Sequence, residues 1–176
     1  MLRVRGNPQS RRRSACPVSV SLEILGDRWS LLIVRDLMVR GFRTFKAFQE
    51  SGEGIASNIL ADRLHRLAAS GIIAAEADKG DARRVNYRLT EKGIALAPVL
   101  LDLLIWGARH EQTAAPCAVI AAMAQNRDQI LEEVRRRWQL HDPTPLLPQS
   151  KEGFVGPNLT GTYGIKDKTQ PYREHG

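Results

Sequence analysis

Four polar side chains, Ser57, Asn58, Asp62 and His65, are spaced so that a helix turning 100° per residue gathers them on one side, together with Ala61. Leu60, Leu64 and Leu67 fall on another side as an apolar stripe. The chemistry open to such a polar face is hydrogen bonding to base edges. An Asn amide pairs bidentately with adenine, and an Asp carboxylate accepts from the amino group of cytosine. Short side chains also let the helix backbone come close to a groove wall. That chemistry needs cations reaching phosphates on either side of the helix. Arg43, Lys46, Arg66, Lys79, Arg83 and Arg84 are distributed along the chain to supply them. Arg63 falls nearer the apolar stripe and reads as one half of an internal ion pair.

The two cysteines offer a second chemistry. Cys16 precedes Pro17 at an expected helix start and follows Arg11, Arg12 and Arg13, two influences that favour thiolate. Cys117 follows Pro116 at another expected helix start. Two readings stand side by side: a candidate pair of redox thiols, or small residues packed at a subunit seam. Two cysteines do not make a disulfide framework. The four histidines, His65, His110, His141 and His175, have no paired ligand spacing, so no metal site is expected. No acid or base stands beside Cys16 in the sequence. The chain therefore reads as a non-enzyme without a cofactor, and a thiol enzyme built on Cys16 is the least supported class.

These groups need elements to hold them. The chain has 176 residues, 43% of them hydrophobic but only 6% aromatic, which favours one largely helical domain with appendages. No stretch approaches the roughly 20 apolar residues of a membrane span, and no secretory signal is expected, so a cytosolic location is expected. Net charge is +7. Arg3, Arg5, Arg11, Arg12 and Arg13 all precede the first acid, Glu23, and residues 1–14 form a basic arm.

After that arm, Pro17 opens a helix to Leu25 with Val18, Leu22 and Leu25 expected inside. Asp27 caps a helix over 28–40, with Trp29, Leu32, Ile33 and Leu37 on one face and Gly41 at its end. Arg43 and Thr44 form a minimal strand, and Phe45 and Phe48 a short helix. The polar-faced helix covers 56–70 and stops at Gly71. Strands over 72–77 and 84–90 flank a charged turn at 78–83. Thr90 caps a helix that Pro98 must kink or restart. Residues 99–108 are apolar almost all round, more than one small domain can cover, so Leu100, Leu104 and Trp106 are expected in a homodimer interface. One further helix is expected over 117–140, with Arg135, Arg136 and Arg137 offsetting its dipole. The Pro- and Gly-rich residues 141–176 are given no secondary structure and are expected to be disordered.

The expected fold is mainly α with a small β-hairpin wing, a winged helix-turn-helix, plus a C-terminal helix and an irregular tail. The expected divisions are the arm 1–14, a DNA-binding and dimerisation domain 15–112, the extra helix 113–140 and the tail 141–176.

A succession of residues then carries a family resemblance. It runs through Cys16-Pro17, Gly26-Asp27-Arg28-Trp29, Leu32-Ile33-Val34-Arg35-Asp36-Leu37, Arg43 with Phe45, and Gly54-Ile55. It continues through Leu60, Arg63, Leu64, Leu67, Gly71, Arg84-Val85, Tyr87, Leu89-Thr90, Gly93, Pro98 and Trp106-Gly107. Over about residues 15–111 the chain resembles the HxlR-type bacterial transcriptional regulators, relatives of the MarR group. The resemblance implies a homodimer whose terminal helices pair and whose helix near Ser57 enters the major groove. Members with a cysteine at the Cys16 position include sensors of oxidants and electrophiles. Two departures are visible. The family's usual serine after Gly-Ile is Ala56, which shifts capping to Ser57 and leaves that hydroxyl less free for bases; its frequent glutamate before Tyr is Asn86.

The function expected is a sequence-specific DNA-binding regulator, a dimeric repressor acting on a short inverted repeat in response to a small molecule or a redox or electrophile signal. Its expected partners are double-stranded DNA, a second copy of itself and that effector, with no membrane. The alternative is a winged-helix protein-interaction module without sequence-specific DNA binding.

Overall fold

The computed structural model describes residues 14–78, 80–81, 84–146, 149–150 and 153–154. Three helical segments come first: α1 (Pro17–Leu25), α2 (Arg28–Arg35) and, after a π-helical turn at Asp36–Arg40, α3 (Phe45–Gln49). Then follow α4 (Ser57–Ala69), β1 (Ile73–Ala77), β2 (Val85–Leu89), α5 (Glu91–Ile94) and α6 (Ala97–His110). The chain continues into α7 (Cys117–Gln125), α8 (Arg127–Leu140), β3 (Gln149–Ser150) and β4 (Gly153–Phe154).

Capping fixes the starts. The Trp29 and Ser30 N–H groups donate to Asp27 Oδ1 at 2.9 and 3.0 Å, satisfying donors that the first turn of α2 leaves over. At the other end of the domain the Gly93 N–H donates to Thr90 Oγ1, and α6 restarts with Pro98 in its first turn, where its missing N–H costs nothing. The helix expected over 28–40 instead widens at Asp36. In a π turn residues five apart align, which lets Arg35 and Arg40 converge on one buried carboxylate. Arg35 Nη2 lies 2.7 Å and Arg40 Nη1 3.2 Å from Asp36 Oδ1, and Arg35 also reaches Glu53 at 2.9 Å. Burial of Asp36 raises its pKa against the pull of these arginines.

The core joins α2 to the hairpin. Val34, Phe48, Leu60, Leu64, Leu67, Ile72 and Ile73 are buried together, and Phe48 meets Phe42 and Tyr87 edge-on at 6.2 and 6.1 Å. β1 and β2 pair antiparallel with Ile73 opposite Leu89 and Ala77 opposite Val85. The minimal third strand is a single bridge, Thr44 to Asn86.

Three expectations are corrected. Val18 and Leu22 are 66% and 60% exposed, because α1 lies on α2 with its apolar side facing outward. The single helix over 117–140 is two. The Asn126 Nδ2 group donates to Ala122 O, and its non-helical backbone breaks the run. An unbroken helix there would be about 36 Å long; the break lets Ile120 and Met123 on α7 and Ile130 and Val134 on α8 reach the same core. Third, 141–176 is not wholly irregular. Leu146 is buried, and β3 pairs antiparallel with β4.

The extension over α7 and α8 is tied to the domain by packing on α6 and by several polar contacts, among them a two-bond pair from Arg127 to Asp102. The Trp138 Nε1–H donates to Leu89 O at 2.8 Å, anchoring α8 to β2. Gly41 ends the π turn at φ +71°, and a Cβ there would stand 2.4 Å from Pro143 O. Only glycine permits both that backbone and that approach. The C-terminal arginines of α8 are engaged in ion pairs: Arg136 Nε and Arg137 Nε each donate to Glu133, at 2.7 and 2.6 Å.

Candidate nucleic-acid interface

The face expected to read bases is present on α4. Ser57, Asn58, Asp62 and His65 are all exposed, and Ala61 lies exposed among them. Behind them Leu60, Leu64 and Leu67 are at most 2% exposed, so the helix is held by one side and open on the other. The residue that caps α4 is Ala56, with no side-chain bond, and Ser57 stands in the first turn. The shift of the cap to Ser57 therefore does not occur, and the hydroxyl is not spent on the helix start. Asp62 is less open than expected, because its Oδ2 accepts from Arg63 Nη1.

Arg63 is the internal pair that its position indicated. Its Nε lies 3.0 Å from Asp27 Oδ1, as an ion pair off the line of a hydrogen bond. This joins the cap of α2 to the middle of α4, the helix that carries the polar face.

The cations divide. Lys46 is 80% exposed with Glu50 at 3.8 Å, and Arg66 and Arg84 are exposed, Arg66 Nη2 standing 3.4 Å from Glu23 O. Lys79 and Arg83 lie outside the described residues. Arg43 is corrected. Its Nη1 donates to Leu37 O at 2.6 Å and Phe42 O at 2.7 Å, so the guanidinium satisfies one carbonyl of the π turn and one just beyond it. Burial, with Arg88 nearby, lowers its pKa. It braces the domain beneath the hairpin and is removed from the phosphate set.

The hairpin has an organiser that the sequence reading missed. Asp78 Oδ1 accepts from the Gly80 and Asp81 N–H groups at 2.8 and 3.1 Å, and Oδ2 accepts from Asn86 Nδ2 at 2.7 Å. These bonds, the Gly80 amide first, hold the Asp78 carboxyl below its ordinary pKa. Asp followed two residues later by Gly was the available signal. The bond also accounts for Asn86. A glutamate there would set a second carboxylate against Asp78, whereas the amide donates to it.

The thiols expected at helix starts are there: Cys16 is the residue before α1, Cys117 is the first of α7, and both are free and exposed. Of the expected dimer residues, Trp106 is outward and 54% exposed. Leu100 and Leu104 instead pack half-buried against the chain's own core, because α7 and α8 fold back over that side of α6.

A hairpin beside an exposed polar helix face is the arrangement of a winged helix, and comparison with known proteins agrees. The HTH-type transcriptional regulator YdeP of Bacillus subtilis (strain 168) is 32% identical over 96 residues, 54% of this chain and 74% of YdeP. The crystal structure of PA1607 superposes with a TM-score of 0.55 at 39% identity, covering 61% of this chain and 73% of that one. The redox regulator HypR in its oxidized form gives a TM-score of 0.50 at 29% identity, covering 56% of this chain and 100% of HypR. Residues 24–115 match the sequence model of the HxlR-like helix-turn-helix regulators, and the chain belongs to that family.

Proposed function

We propose that this chain is a homodimeric transcriptional regulator that lays α4 in the major groove and the β1–β2 hairpin along the flanking backbone. The observation that carries the reading is the two-sidedness of α4. Ser57, Asn58 and His65 are exposed on one side, while the other is fixed in the core by Leu60, Leu64 and Leu67. Asn58 is the principal base reader, with Ser57, Asp62 and His65 beside it; Lys46, Arg66 and Arg84, with Lys79 and Arg83 of the turn, meet phosphates. Repression is the sign of regulation that follows if the dimer occludes a promoter.

Dimerisation is supported by apolar side chains that the single chain leaves uncovered. Val99, Leu103 and Trp106 are exposed on α6, as are Val18 and Leu22 on α1. Two copies joined there carry two recognition helices to an inverted repeat. A redox or electrophile signal is supported by the exposure of Cys16 and Cys117 and by the likeness to HypR, itself a redox regulator. An adduct on Cys16, at the start of α1, alters the helix proposed to lie at the dimer seam.

The test is recovery of genomic fragments bound by the purified protein, followed by competition with random duplex at several salt concentrations. A short inverted repeat bound at least a thousandfold, in order of magnitude, over random DNA is expected. Equal affinity for both sequences at every salt concentration overturns the reading in favour of a protein-interaction module.

A further inference from the structure

The helices α7 and α8 lie beyond the family match, which ends at residue 115, and they enclose space that the matched domain alone does not. Between α2, α6 and α8 is a cavity of about 370 Å³. Its floor is core: Leu101, Met123, Ile130, Val134 and Leu146 are buried. The volume falls at the lower end of small-molecule sites, which span roughly 300–1,000 Å³.

We propose that this cavity is a binding site for a neutral, apolar small molecule of about one or two rings. Three observations define the class. First, the one charged lining residue among the described residues is Arg35, and its guanidinium is already paired with Asp36 and Glu53. A bound anion has no free cation to meet, and a cation has no free carboxylate. Second, the lining is otherwise aliphatic or thioether except for Thr113, so at most one neutral polar group of the ligand finds a partner among the described residues. Met38 and Met123 supply adaptable contacts that suit an aromatic face. Third, the cavity is not the side of α6 offered to a second copy. At 100° per residue, Leu100, Leu104, Gly107 and Ala108 centre on one direction of α6, while Val99, Leu103 and Trp106 centre roughly a third of a turn away. Only Leu103 borders both.

As the effector site of a regulator this rests on the function proposed above. It is nonetheless testable without DNA. The probe is 6-propionyl-2-(dimethylamino)naphthalene, an uncharged two-ring fluorophore with one carbonyl that brightens and shifts to the blue in apolar sites, titrated into the full-length protein. One saturable site per chain is expected. Gly107→Leu fills the cavity from α6, and a Cβ at Gly107 meets nothing within 4 Å, so the substitution enters without a backbone clash. Leu131→Phe fills it from α8. Each is expected to weaken the probe at least tenfold while melting cooperatively, whereas Trp106→Ser, on the outward side, leaves the titration unchanged. Absence of saturable binding to the wild-type chain overturns the proposal. So does probe binding that ignores both filling variants, or that is lost with Trp106→Ser. Probe affinity that falls as the chain self-associates also overturns it, and assigns the cavity to the dimer seam. Failure here leaves the DNA-binding reading intact, and failure to bind an operator leaves this titration unaffected.

Discussion

Arg63 Nε stands 3.0 Å from Asp27 Oδ1, the same oxygen that accepts the Trp29 and Ser30 N–H groups at the start of α2. The carboxylate thus caps one helix and holds another. Although burial works against it, the Ser30 hydroxyl, the two amides and Arg63 together keep the Asp27 pKa below its ordinary value.

Arg63→Gln is therefore expected to cost about 1–3 kcal/mol of stability, by leaving a partly buried carboxylate short of its counter-charge. It is also expected to weaken operator binding without changing the salt slope, since no phosphate contact is removed. Chemical denaturation and salt-dependent binding check the two halves. The linkage has a sign. A carboxyl depressed by folding contributes stability that is present above its unfolded pKa near 4 and lost as pH falls through the folded value, so the wild-type advantage over Arg63→Gln should shrink on acidification.

Glu133 gives a second acid-labile contact, this one in the extension. The Arg136 guanidinium first, then that of Arg137, pulls its pKa down to about 2. Its stabilisation is complete above about pH 4.5 and is lost between there and about pH 2. Because the Arg136 guanidinium stands in solvent, screening keeps the pair's contribution small. Glu133→Gln is expected to lower the melting temperature at pH 7 by a few degrees and to leave it unchanged near pH 2.

For the dimer, Trp106→Glu is expected to give a monomer in sedimentation with intact helical signal and weak DNA binding. A wild-type chain that sediments as a monomer at micromolar concentration contradicts this interface.

For the thiols, diamide is expected to reduce operator affinity of the wild type and not of Cys16→Ser. Binding that ignores diamide in both leaves Cys16 as a packing residue.

What was legible in the sequence is what period and capping encode. The two sides of α4, the caps at Asp27 and Thr90, the restart at Pro98 and the inward role of Arg63 all follow from spacing and residue type. What was hidden depends on partners distant in sequence. Arg43 turns inward because its guanidinium donates to the Leu37 carbonyl of the π turn and to the Phe42 carbonyl just beyond it, and nothing in the 28–40 pattern announces that turn. The apolar side of α1 is evident from Val18 and Leu22, yet a pattern cannot say whether its own chain covers it. Asn126 interrupts a helical pattern that would otherwise tolerate it. The bond between Asp78 and Asn86 joins the two arms of the hairpin across a turn whose residue order alone did not reveal it.

The central claim is that α4 reads sequence while the flanking cations hold the backbone, and one comparison tests it most directly. Asn58→Ala and Arg84→Ala are each measured by fluorescence anisotropy on the selected operator and on random duplex, across a salt series. Asn58→Ala is expected to cost about 1–3 kcal/mol on the operator and almost nothing on random DNA. Arg84→Ala is expected to weaken both alike and to reduce the salt slope by about one. Equal losses on operator and random DNA for Asn58→Ala would contradict the base-reading role of α4.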